Sequence, residues 1–553
     1  KKKELRLDRY KDQGEELFAS FDSPDKIAEL EVTAFREESS DIYAFAVSRD
    51  EKGVWRIPSH GNYPADANDQ MGKAAAMMIG LKKESVVGDE KGRHAEYGVV
   101  DPLEAGVDTA GRGKRVKLKD SAGNVLADLI VGDAIEGKQD MFYVRVPEKK
   151  RVYKATLKGS LSTQFADWIE TDLLKAKSYN VEKVVFDNYS VDEQRGQVVP
   201  GEKLVLAKSA DNKWSLEGVT EAEETNETRA GEVATALGEI KIVGVRPKPD
   251  GLTARLERAN GIEAQVLAQQ LRDKGYFLAR GGKLFSNEGD LLFETKSGVR
   301  YTLRFGELVL GEGDEVTAGI GKAEPKEGDE ASAEEARKNA KNRYLMVTAE
   351  FVEDLLDKPT GVRLPEEELD KRLTARKMIE SIQSAIASYQ GSHENKLPTS
   401  LADLAAKPAE GEPLLAEVPK DPWGNDYSYA VEGETYVLSS LAADAAAGGE
   451  GLNQDVRSDQ LPLENALQDA AGEWETYDSK VETGQKEAEE LTKRFGPWYY
   501  VIDKELFDKL KPGRADLVQP KSAEEPGGAP GAGAGPGSGL PGGLPGGLPG
   551  GGK

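Results

Sequence analysis

Over the first two-thirds of the chain, apolar and polar residues alternate in short bursts, the two-residue period of strands with one buried face. Ile42-Tyr43-Ala44-Phe45-Ala46-Val47 is one such run. It passes through the polar turn Asp50-Glu51-Lys52-Gly53 into Trp55-Arg56-Ile57, which reads as a β-hairpin. Lys203-Leu204-Val205-Leu206-Ala207, then Asp211-Asn212-Lys213, then Trp214-Ser215-Leu216 repeat the device. A helical stretch follows each hairpin, Ala74–Leu81 and Gly231–Leu237, and a strand follows each helix, Val86-Val87-Gly88 and Ile240–Gly244. Recurrence of hairpin, helix and strand predicts two tandem copies, unit one over 27–180 and unit two over 181–360.

Other strands fill out each unit. Leu30, Val32 and Ala34 alternate with polar neighbours as an edge strand would; Arg115–Leu118 and Leu126–Gly132 flank a Ser-Ala-Gly-Asn turn; Phe142–Val146 and Arg151–Tyr153 form the next pair. Leu291–Thr295, Arg300–Gly306 and Arg343–Thr348 give unit two a similar meander. Tyr97–Asp101 reads as a strand stopped by Pro102, and Phe165, Trp168, Ile169 and Leu173 have the spacing of a closing helix.

In the last third the period changes. Leu463, Leu467, Ala470, Trp474, Tyr477, Val481, Ala488, Leu491 and Phe495 step by four and three, with Gly484 in the one gap, so they form a heptad seam. A second helix, Pro365 to Tyr389, offers Leu369, Leu373, Ile379, Ile382 and Ile386. The two predict an antiparallel helical-hairpin stalk, 361–390 with 461–496, carrying a small α+β head over 372–460. Pro497-Trp498-Tyr499-Tyr500-Val501-Ile502 reads as a strand returning to a sheet, within 497–520. The overall class is α+β. Residues 1–26 are charged and read as a juxtamembrane tether, 311–341 as a mobile acidic loop, and 521–553, with its Leu-Pro-Gly-Gly units, as a disordered tail.

Charge and composition narrow the function. Acidic residues number 99 against 74 basic, a net charge of −25, which argues against a nucleic-acid partner. There is no cysteine, so disulfides, zinc–thiolate sites and cysteine nucleophiles are excluded. No stretch approaches the ~20 apolar residues of a membrane span. The first residue is Lys1, so the expectation is a trimmed or processed form whose anchor or signal lay upstream.

Catalytic constellations are scarce. His60, His94 and His393 are scattered, and Ser59 and His60, if on a strand, point to opposite faces. Gly111-Arg112-Gly113-Lys114-Arg115 lacks the phosphate-loop frame and reads as a basic turn. Asp101 with Glu104, and Asp167 with Glu170, are carboxylate pairs of a kind that so acidic a chain produces by chance. Trp55 with Tyr97 and Trp214 with Tyr276 read as core packing, with an aromatic-lined groove between the units as the alternative. Asp444 and Asp455 share a Gly-rich loop with Glu450, and two carboxylates with bent-loop carbonyls suit calcium. The bland alternative is a metal-free loop closed by backbone hydrogen bonds.

Two resemblances rest on particular blocks. Trp55-Arg56-Ile57-Pro58-Ser59-His60, Tyr63-Pro64-Ala65-Asp66-Ala67, Tyr97–Pro102, Leu126–Gly132, Ser162–Glu170, Trp498–Ile502 and Arg514-Ala515-Asp516-Leu517 make residues 20–350 and 491–518 similar to the bacterial domain-of-unknown-function 4340 family. That likeness implies an N-terminal membrane helix, an extracytoplasmic body and, for some members, an auxiliary part in gliding-motility-type ABC transporters. Met378–Tyr389, Leu397-Pro398-Thr399, Pro419–Tyr429, Leu438–Asp444, Gly448-Gly449-Glu450-Gly451 and Asp455-Val456 resemble the periplasmic domain of type II secretion major pseudopilins. This second likeness implies one calcium ion held at Ser440 (through its carbonyl), Asp444 and Asp455. The family's Gly-Ala-Asp-Gly reads Ala442-Ala443-Asp444-Ala445 here, and charged Glu366–Arg376 replaces the apolar helix a polymerising pseudopilin needs.

The expectation is therefore a non-enzymatic, membrane-anchored scaffold or accessory protein of a transporter- or secretion-like machine in the bacterial periplasm, partnered by other envelope proteins. Its competitors are a binding protein holding a polymer or peptide between the units, and a hydrolase using scattered carboxylates.

Overall fold

The alternating runs do become strands, and most lie in two antiparallel sheets. The computed structural model describes residues 11–521 except 37–40, 106–108, 193, 196, 250–251, 253–260, 280–282, 312, 320–340 and 410. Sheet one contains β1 (Glu29–Arg36), β2 (Asp41–Arg49), β3 (Trp55–Ile57), β4 (Tyr63–Pro64), β5 (Ser85–Gly88), β6 (Lys114–Lys119), β7 (Val125–Ala134), β8 (Met141–Arg145) and β9 (Val152–Thr156). Sheet two contains β10 (Val181–Asp187), β11 (Lys203–Lys208), β12 (Trp214–Leu216), β13 (Gly244–Pro247), β14 (Asp290–Thr295), β15 (Val299–Val309), β16 (Asn342–Phe351) and β17 (Trp498–Asp503). The fold is mixed α and β.

Sheet one runs β4-β3-β2-β1-β6-β7-β8-β9-β5 and sheet two runs β12-β11-β10-β14-β15-β16-β17-β13. From β3 and β12 onward the two orders correspond strand for strand. In both, a helix precedes the far edge strand: α1 (Asn68–Met78) before β5, and α2 (Glu227–Gly238) before β13. The two hairpins match in register as well. Trp55 pairs with Arg49, whose guanidinium lies 5.7 Å from the indole centre. Trp214 pairs with Lys208, whose ammonium lies 5.1 Å from its ring.

One apolar core runs through both sheets. Val32, Phe45 and Leu129 of sheet one join Met78 of α1, Leu237 of α2, and Phe186, Phe293 and Tyr500 of sheet two. Tyr97 and Tyr276 lie outside it, in separate clusters with Ile130 and with Tyr499. The expected pairing of Trp55 with Tyr97 and Trp214 with Tyr276 is therefore corrected: each tyrosine belongs to a different cluster from its tryptophan.

The long helices are α3 (Glu366–Ser392) and α4 (Leu461–Phe495). Their apolar faces have other partners than a two-helix stalk would give. Ala488, Leu491 and Phe495 of α4 join the main core. Ala375, Ile379, Ile382 and Ile386 of α3 bury into the head with Leu404, Tyr427, Leu438 and Val456. Where the helices approach, the link before α3 does the bridging: the Trp474 indole donates to the Gly361 carbonyl at 2.9 Å and Arg363 pairs with Asp478.

Three local expectations change. Residues 11–26 are docked, not a tether: Phe21 is buried, and the Leu17 amide bonds the Leu81 carbonyl at 2.7 Å. Phe165–Trp168 is a single 3-10 turn, because Ile169 is already extended at φ −131°. Ala95–Tyr97 is likewise a 3-10 turn, leaving only an isolated bridge from Val100 to Arg112. Within 311–341, Asp314–Thr317 forms a helical turn that buries Val316 against Val309 and Val501, and 320–340 lie outside the described residues, as do residues 522–553 of the tail.

Candidate functional site

Two places concentrate candidate chemistry. The first lies where sheet one meets the end of α4. Tyr63 and Trp498 pack edge to face, with ring centres 4.9 Å apart. Around them Arg56, Pro64, Asp66, Glu170, Arg494 and Pro497 line a groove of about 480 Å³. Arg494 donates to the Asp172 carbonyl, and its Nε is buried with no partner. Glu170 accepts the Asp172 amide at 3.1 Å, and Asp167 is taken by the Ser162 hydroxyl, so that carboxylate pair serves local turns.

The other sequence candidates resolve similarly. Ser59 and His60 sit on a 3-10 turn, not a strand, so the Ser59 hydroxyl does reach His60 Nδ1, at 2.9 Å. The far nitrogen, Nε2, meets the Thr317 hydroxyl at 3.1 Å, where a triad would place a carboxylate. Burial, aided by the Arg246 charge, pushes the imidazole down to about 4. His94 Nε2 lies 2.9 Å from the Lys150 carbonyl, and His393 stacks on Tyr389. In the basic turn, Arg112 bonds the Pro102 and Glu104 carbonyls, Lys114 the Leu161 carbonyl, and Arg115 pairs with Asp101 and Asp128. Its cations are thereby engaged in the fold.

The second place is the head loop between the strands Thr435–Ser440 and Val456–Arg457, which pair antiparallel beside Ser428–Glu432. Ser440 is fully buried, and its hydroxyl donates to Asp421 at 2.6 Å. Asp421 also accepts the Trp423 and Asn425 amides at 3.1 and 2.7 Å, and Asn425 reaches the Ala442 carbonyl at 2.8 Å. Asp455 is buried; its Oδ2 accepts the Gly448 amide at 2.9 Å and its Oδ1 has no hydrogen-bond partner. Asp444 is exposed, and its carboxylate caps the Ala446 amide at 3.2 Å.

From the other side, the fully buried Arg372 of α3 donates to the carbonyls of Gly451, Leu452 and Gln454 at 3.1, 3.2 and 2.6 Å. Among the described residues, no group of three or more His, Asp or Glu side chains comes together as a metal site. A hard cation here would draw on Asp455, on Asp444 and on main-chain carbonyls. Asp455 Oδ1, a buried carboxylate oxygen of this loop with no hydrogen-bond partner among the described residues, fits this need. Sequence reading missed Asp421 and Arg372. Asp421 had a signal, since Asp ahead of Trp-Gly-Asn is an Asx-turn pattern.

Residues 364–459 match the family model of the type II secretion system (T2SS) protein G. Residues 55–258 match a second model, a domain of unknown function, DUF4340. The type II secretion system core protein G of Vibrio cholerae serotype O1 is 40% identical over 65 residues, 10% of this chain and 44% of that protein. The chain thus spans less than half the length of this relative. Among the described residues no helix is long and apolar enough to cross a membrane.

Proposed function

We propose that this chain is a non-enzymatic accessory protein of a secretion- or transport-type machine in the cell envelope, presenting a pseudopilin-like head from a duplicated two-sheet body. The location of the head carries the reading. The protein G match falls wholly within the connection from β16 to β17. The corresponding connection in sheet one, from β8 to β9, is the short turn 146–151. A module added between hairpin strands leaves the ladder intact, because its two ends are already neighbours. Matching strand orders and the cation over each hairpin tryptophan support descent of both sheets from one copied unit. Charged Glu366–Arg376 stands where a polymerising pseudopilin needs an apolar helix, which favours a fixed partner surface over polymerisation.

The anchoring partner would be the inner membrane, and the working partners envelope proteins. The test is cross-linking in intact cells with the full chain, followed by capture from the envelope fraction. Secretion or transporter components should be recovered with it, and recovery from the cytosol alone would overturn the proposal. The Tyr63–Trp498 groove favours a second reading, a peptide or polymer ligand. In that case the same capture returns a peptide or glycan and no envelope protein.

In the head we assign one calcium ion to Asp455 and Asp444, with the Ser440 carbonyl. Support comes from Asp455 Oδ1, a buried carboxylate oxygen otherwise left without a donor. Chelator should lower the melting temperature of the full chain, and Asp444→Ala should erase the difference. Identical melting with and without chelator would remove the metal.

A further inference from the structure

Three arginines are buried among the described residues, and two of them touch a carboxylate. Arg343 lies 3.3 Å from Glu288 and Arg372 lies 3.4 Å from Glu368. Arg145, 4% exposed at the end of β8, meets only carbonyls: Nε donates to Val99 at 2.9 Å and Nη1 to Lys149 at 3.0 Å. A guanidinium has five N–H donors, so these two bonds leave three unused. Two of the acidic groups beside it are committed to other cations. Asp101 pairs with Arg115 at 3.1 Å and Glu104 with Lys91 at 2.5 Å. Burial, with Arg115, opposes the charge of Arg145, while Asp101 and Glu104, on the wall of the cavity that Arg145 borders, favour it without bonding it.

Arg145 does not face solid protein. It borders a cavity of about 370 Å³ whose wall carries His94, the cations Lys91, Lys149 and Lys150, and three carboxylates, Glu148 and the already paired Asp101 and Glu104. The size is that of a small-molecule site. Arg145 and His94 also pin the turn that forms the rim, through the Lys149 and Lys150 carbonyls. Glu148 holds the turn's bend at φ 63°, and the Lys149 and Lys150 side chains are exposed.

A buried cation is retained at low cost only when an anion meets it. We propose that this cavity binds a small oxyanion ligand, a carboxylate or a phosphate group, on the free edge of Arg145 with Lys149 and Lys150 closing over it. A guanidinium edge suits the two oxygens of either group. The ligand would complete a charge pair that the fold itself leaves open. This site is separate from the head loop and from the inter-sheet groove.

Isothermal titration of the full chain with succinate and, separately, with inorganic phosphate tests it. Saturable binding of one probe per chain is expected, and the probe that binds identifies the group. Lys149→Ala with Lys150→Ala, both at exposed positions, should weaken binding about fivefold or more with unchanged circular dichroism, and Arg145→Lys about tenfold, by loss of charge-assisted bonds. Absence of saturable heat from both probes overturns the proposal. So does undiminished affinity in the double-lysine variant, which decides the matter even if Arg145→Lys fails to fold.

Discussion

Ala445 holds a backbone angle its side chain disfavours: φ is +54°, and at Ala442 it is +52°. An L-residue in the left-handed region costs about 1–2 kcal/mol, because Cβ crowds the following carbonyl. In the two tryptophan hairpins the chain uses residues that tolerate this, with Gly53 at φ +81° before Trp55 and Asn212 at +64° before Trp214. Ala442 is fully buried beneath the Asn425 bond, so its methyl is packed. Ala445 is exposed and keeps no such compensation. Ala445→Gly should therefore stabilise the head by up to about 1 kcal/mol, strain relief exceeding glycine's extra unfolded-state entropy of about 0.4–1 kcal/mol. Urea unfolding checks this, and a lower midpoint would mean that the loop does not hold the left-handed turn. Side chains in this loop were legible only where residue type betrays a turn or a ligand. Asp444, Asp455 and Ser440 could be singled out, but the bond from Ser440 to Asp421 joins residues brought together only by folding.

At the scale of elements, periodicity gives a face and not its neighbour. The α4 seam was readable because Ala470, Tyr477, Gly484, Ala488, Leu491 and Phe495 do make up its buried side. From Gly484 to Phe495 its cover is the sheet, and at Ala470 and Trp474 it is the link at Gly361; nothing in a heptad step distinguishes either from a second helix. Gly484 shows what that cover demands. A Cβ there would lie 2.2 Å from the Ser297 carbonyl oxygen and 2.7 Å from the Phe351 ring. Gly484→Ala gains about 1 kcal/mol of helix propensity in a free helix. Here the contact with backbone cannot be relieved by a rotamer change, so overpacking of about 1–3 kcal/mol should outweigh it. Thermal melting should show net destabilisation, whereas a raised midpoint would place α4 away from β16. The turns Phe165–Trp168 and Ala95–Tyr97 were misread for a related reason. Three or four apolar residues fit a strand, a helix or a single turn equally, and distant contacts decide.

Across the whole molecule, His60 links the two sheets. Its ring stacks on Phe165 at 4.1 Å and meets Phe45 edge-on, while its nitrogens reach the Ser59 and Thr317 hydroxyls and Arg246 adds a nearby positive charge. Thr317 lies beside β13, where Gly244 is packed so closely that a Cβ would meet the Val316 carbonyl at 2.3 Å. The imidazole is therefore wedged at the junction in its neutral form. Its folded value is about 4 against an ordinary 6.5, so between these limits the unfolded chain binds the extra proton. Stability contributed by neutral His60 is present above pH 6.5 and is lost as pH falls toward 4. At pH 5 the loss amounts to about 2 kcal/mol, from 1.36 kcal/mol per unit of displacement. The many carboxylates add their own slope, so the measurement is a difference. Urea midpoints at pH 7.5 and pH 5 should separate by about 2 kcal/mol more in the native chain than in His60→Gln, which keeps a polar group but cannot titrate. Equal slopes in the two proteins would mean that the junction admits a protonated ring, and the tight contact between the sheets at Thr317 would have to be given up.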